Sequence, residues 1–125
     1  MLSCGTQKIV TFEYSEVTRG YKKTVSVSRK ETVIITKKSN LEEKAIYRTN
    51  STLWKALQTN VVDVELYEIS TLESPTHKRD VDAAMFAKLI IVTKDTTYTS
   101  SSFDNGHPPA MIKTIVDSLA NLGNN

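Results

Sequence analysis

The chain holds one cysteine, Cys4, in 125 residues. A single thiol makes neither an internal disulfide nor a cysteine-based zinc centre. Glycine is sparse, four in all and never adjacent, so there is no glycine-rich loop to cradle a phosphate. The two histidines, His77 and His107, are far apart in sequence and form no helical pair of the HExxH kind. No serine stands in a G-x-S-x-G elbow. No apolar run approaches the roughly 20 residues that a membrane-spanning helix needs. Neither sign of charge dominates: Lys and Arg number 16, Asp and Glu 14, for a net charge of +2. A dedicated nucleic-acid-binding domain is usually far more basic, which argues against nucleic acid as a partner.

What remains is ordinary globular material. Hydrophobic residues make up 39% and charged residues 24% of the chain, which excludes wholesale disorder. The length suits one domain that buries about two-thirds of its unfolded-chain surface.

The local pattern is rich in strands. Over residues 8–18, Val10, Phe12 and Tyr14 alternate with Thr11, Glu13 and Ser15, the period of a half-buried strand. Arg19-Gly20 predicts a turn, residues 22–28 a second strand, Arg29-Lys30-Glu31 a hairpin tip, 32–37 a third strand and 43–48 a fourth. Ser51 has the chemistry of a helix N-cap, and Leu53, Trp54, Leu57 and Val61 follow at helical spacing. Residues 62–72 suggest irregular helical turns, and residues 74–80 a polar loop. Residues 86–93 are apolar on both faces, as suits a central strand. A hydroxyl-rich partner strand follows over 96–102. Asp104-Asn105-Gly106 forms a turn, and Pro108-Pro109 opens a helix with the stripe Ile112, Ile115, Val116, Leu119 and Leu122, closed by Gly123. This order predicts an α+β fold: an antiparallel sheet of about five to six strands, with two amphipathic helices packed on one face. Threonine and serine should leave the other face wet. The domain spans residues 8–123, behind a tether of residues 1–7.

Leu2-Ser3-Cys4-Gly5 has the form of the end of a bacterial lipoprotein signal, in which cleavage precedes the cysteine and its sulfur takes lipid. On that reading Cys4 is the lipidation site and the membrane is reached through an N-terminal anchor. The protein then lives in the bacterial cell envelope, on the periplasmic side or at the outer membrane. If Met1 is the true start, it is cytoplasmic instead. An apolar stretch encoded directly upstream supports anchoring; its absence from the natural gene removes it.

A pattern also runs through the second half: Leu72-Glu73-Ser74-Pro75, then Asp82-Ala83-Ala84, an apolar strand, the run Tyr98-Thr99-Ser100-Ser101-Ser102-Phe103-Asp104, then Asn105-Gly106-His107-Pro108-Pro109 and a helix containing Val116-Asp117. From Trp54 to Leu122 it resembles a set of small, uncharacterised bacterial lipoproteins of Bacteroidetes type. The resemblance implies lipid at Cys4. That family has no assigned activity, so it carries over no catalytic residue.

Three functional readings follow. The first is a non-catalytic binding module for a protein or a glycan, using hydroxyls of the sheet at Thr97, Thr99 and Ser101. The plainer account of those residues is the β-propensity of threonine on an exposed face. The second is a small enzyme or metal-binding protein using the His77 loop with Asp104 and His107. Surface histidines in polar loops are the commoner case, and no cofactor is expected. The third is an anion-binding module on the basic hairpin 19–38, with Lys22, Lys23, Arg29 and Lys30 as ligand-binding candidates. Its plain alternative is a solvated strand edge that lysines keep from pairing.

Overall fold

The structure, a computed structural model, describes residues 8–76 and 85–122. It opens with a four-stranded antiparallel meander: β1 (Ile9–Thr18), β2 (Tyr21–Ser28), β3 (Glu31–Lys38) and β4 (Leu41–Arg48). Helix α1 (Ser51–Val61) and a 3-10 turn (Leu66–Thr71) follow. The chain then adds β5 (Phe86–Thr93), β6 (Thr97–Thr99) and β7 (Phe103–Asp104), a 3-10 turn (Ala110–Ile112) and helix α2 (Lys113–Ala120). The sheet order is β4-β3-β2-β1-β5-β6, with β7 pairing β5 beside β6. Among the described residues, no helix is long and apolar enough to cross a membrane.

The α+β expectation holds, with seven strands among the described residues in place of five to six. The predicted strand 96–102 shortens to β6, and the extra strand, β7, forms just beyond it at Phe103–Asp104, where Asp104 was expected to open a turn. The Ser100 hydroxyl accepts the Leu89 N–H at 2.9 Å, in a place where a regular ladder offers a carbonyl. Pairing stops at Thr99 and resumes at Phe103, opposite Ala87.

Two registers fix the layers. Ile91, Phe12, Val27 and Thr32 form one cross-strand row, and Leu89, Tyr14, Val25 and Ile34 form the next. These side chains are buried and meet Leu57 of α1 and Ile115, Val116 and Leu119 of α2 in one core. Trp54 of α1 packs edge-on to Phe12, with ring centroids 5.6 Å apart. α1 and α2 therefore lie on this face, as their apolar stripes require. Among the described residues, no helix covers the opposite, open face. That face carries threonine and serine as expected, but Val33, Ile35, Ile90 and Val92 are interleaved with them and half-buried.

Three local expectations need correction. Val10 does not join Phe12 and Tyr14 inside: it is exposed and Ile9 is buried. A register shift between Ile9 and Thr11 is the cause, since one extra residue inverts the alternation before it. The N-cap is Asn50, not Ser51. The Asn50 Oδ1 accepts from Thr52 N at 2.8 Å and Leu53 N at 3.1 Å. Lys23 is not on a solvated patch. It falls on the core face two residues before Val25, is buried, and its Nζ donates to the Ala120 carbonyl at 3.4 Å, at the negative end of α2.

Candidate cationic cleft

The four candidate cations of the basic hairpin do not act as one patch. Lys22 sits at one end of β2, beside Lys37 across the ladder. Lys23 is buried under α2. Arg29 and Lys30 form the turn at the other end of β2, roughly 23 Å from Lys22 at the rise of an extended strand.

At that turn the structure does assemble a site. A cleft of about 720 Å³ opens between the start of β1, the β2–β3 turn and α1. Lys8, Arg29, Lys30 and Lys55 line it, with Trp54, Ile9 and Val10 as apolar wall and Ser28, Thr49, Ser51 and Gln58 as polar wall. No acidic residue stands among these lining residues.

The turn that presents Arg29 and Lys30 is braced from both sides. The Ser28 hydroxyl donates to Glu31 O at 3.0 Å, and the same oxygen accepts Glu31 N–H at 3.1 Å. Buried Thr49 ties the turn to the helix start: its hydroxyl donates to Ser28 O at 2.7 Å and lies 2.9 Å from the Thr32 hydroxyl. Thr49 N–H donates to Lys30 O at 3.0 Å. The next residue is the Asn50 cap. One buried threonine thus fixes the turn against α1, whose first turn holds no acid to offset its positive dipole end. The bulge at Val10 turns that side chain outward and makes it part of the wall.

Electrostatically the cleft suits an anion. Arg29 can form a planar, two-point contact with a carboxylate or sulfate, and the lysines add point charges. Trp54, packed against Phe12, is half-exposed and offers apolar contact. Its lining offers no imidazole or carboxylate to activate Ser28 or Ser51.

A second polar cluster lies elsewhere on the core face. Glu16 Oε1 accepts from Tyr14 Oη at 2.9 Å and Asn105 Nδ2 at 3.0 Å, and Oε2 accepts from Tyr21 Oη at 2.9 Å. Asn105 Nδ2 also lies 3.0 Å from Tyr14 Oη. Burial, then the charge and hydrogen bond of Glu16, raise the Tyr14 phenol. Burial leads again for Tyr21, followed by the hydrogen bond and charge of Glu16; its phenol is pushed up to about 12. This network pins the Asn105-Gly106 turn to β1. The sequence held one sign of it, an acid two residues after Tyr14 and so on the core face.

The remaining candidates are dispersed. Asp104 is buried, accepts from the Thr76 hydroxyl, and its backbone accepts His107 N–H at 2.9 Å. His107 is exposed. Among the described residues, no three His, Cys, Asp or Glu side chains gather to hold a metal ion. Thr97 and Thr99 are exposed on the open face, opposite Val92 and Ile90. Ser101 lies past β6, is half-buried and donates its hydroxyl to Leu72 O. Cys4, His77, Asp82 and the Gly123 cap lie outside the described residues. Set against known proteins, the chain matches no protein-family model and no curated protein sequence.

Proposed function

We propose that the protein is a non-catalytic binding module that takes an acidic saccharide in the cationic cleft. The observation that carries this reading is the lining itself: four cations, one tryptophan and no acid around about 720 Å³. A sulfated or carboxylated sugar presents what such a lining fits: anionic groups for Arg29 and the lysines, and a C–H face for Trp54. The braced turn lowers the ordering cost of binding, because Arg29 and Lys30 start from a fixed backbone. Placement of this module at the bacterial envelope rests on Cys4, which the upstream gene sequence tests.

Trp54 is the sole tryptophan, so its fluorescence reports on the cleft directly. Titration with a heparin-derived oligosaccharide at low salt should shift that emission, and added salt should weaken the affinity. The double substitution Arg29→Ser, Lys30→Ser should weaken it about tenfold or more. Lys22→Ser, at the far end of β2, should leave it unchanged. An emission that never shifts at low salt sinks the reading, as does an affinity that ignores the double substitution.

A further inference from the structure

The end of the sheet at β4 stands out physically. All eight residues of β4 are exposed, and no strand among the described residues pairs with its outer edge. Leu41, Ile46 and Tyr47 are among the large apolar side chains left in water, at 74%, 53% and 43% exposure. A long edge of unpaired backbone with apolar side chains is a template for another strand.

From this edge we infer that the protein pairs with a second copy of itself, β4 to β4, antiparallel about a two-fold axis through Ala45. The register follows from charge. Centred on Ala45, Glu42 of each copy faces Arg48 of the other. Centres at Glu43 or Lys44 would set that residue against itself, and a centre at Ile46 would set Lys44 against Arg48. Like charges directly opposite destabilise a ladder, and opposite charges favour it.

The strands behind β4 extend the match. Within one copy, Lys37 of β3 lies opposite Glu42, and Glu31 lies opposite Arg48. Across the junction the open face then reads Lys37, Glu42, Arg48, Glu31, a row of alternating sign over both copies. The apolar residues gain neighbours in the same register. Ile46 comes diagonal to the second Ile46, and Tyr47 diagonal to the second Leu41, both within reach of such side chains. An isologous contact of this kind closes on itself and leaves no further β4 edge free.

Charge reversal on the full chain tests this, with sedimentation equilibrium over a concentration series as readout and far-ultraviolet circular dichroism as the check on folding. The wild type should show a monomer–dimer equilibrium. Glu42→Arg and Arg48→Glu, each alone, put like charges at both contacts and should weaken dimerisation about tenfold. An equal mixture of the two variants should dimerise like wild type, because each contact then joins an arginine of one copy to a glutamate of the other. A wild type that stays monomeric at every concentration overturns the proposal and leaves the edge to a strand of another protein. Variants that dimerise like wild type, or a mixture no stronger than either variant, overturn it as well.

Discussion

Glu16 shows how one residue can organise a region of the core face. Two phenols and an amide converge on its carboxylate, and the phenols hold their protons more tightly than free tyrosine does. Tyr21, at about 12, lies well above its ordinary value near 10. Above pH 10 the unfolded chain sheds a proton that folded Tyr21 keeps, so stability falls as pH rises. The contribution is complete below about pH 10 and is lost on passing through 12; Tyr14, also raised, adds in the same direction. Urea unfolding between pH 9 and 12 should show that decline, shallower in Tyr21→Phe. An equal slope in the variant would assign the decline to other groups. This cluster was only half legible in the sequence. Strict alternation puts Glu16 beneath the helices, but its partner Asn105 is 89 residues away, and no local pattern announces so distant a contact.

At the scale of elements, α1 depends on its cap. Asn50→Ala removes the acceptor for two N–H groups and should cost about 1 kcal/mol by chemical denaturation, whereas Ser51→Ala should cost little. The reverse ranking would restore Ser51 as the cap. The sequence pointed to Ser51, although asparagine caps as well as serine; the bonding of Thr49 to the β2–β3 turn places Asn50 at the helix start instead. Strands with a regular pleat, such as β2 and β5, were legible from their alternation or their β-branched content. The bulge in β1 was not, because one inserted residue leaves composition untouched and changes only which side chains face inward. The cationic cleft was hidden for a related reason. Arg29 and Lys30 were visible as charges, but Lys8 and Lys55 join them only after β1 and α1 converge on the turn.

Across the whole molecule, stability should grade from the centre of the sheet outward. β1 lies between β2 and β5 and contributes Phe12 and Tyr14 to the core. β4 is an edge strand exposed on both faces. Amide hydrogen exchange at low protein concentration should therefore be slowest in β1 and fastest among the long strands in β4. Protection confined to β4 should then rise with concentration if its edge pairs with a second copy. Uniform exchange across β1–β4 would contradict this gradient. The meander itself was readable from local turns, whereas the docking of β5 against β1 joins residues some 80 positions apart and rests on the match of two apolar faces.

The placement of α1 and α2 on one face has a geometric consequence for the proposed pair. A two-fold axis perpendicular to the sheet keeps both pairs of helices on the same side, and each cleft with its own α1. Two identical anion sites would then lie on the helix side of the sheet, at opposite ends because the axis reverses the strands. A ligand displaying repeated acidic groups could occupy both, the second contact forming at the high effective concentration set by the first. Retention on a polyanionic surface would then outlast the residence time of either site, and splitting the pair would abolish that avidity while leaving each cleft chemically intact.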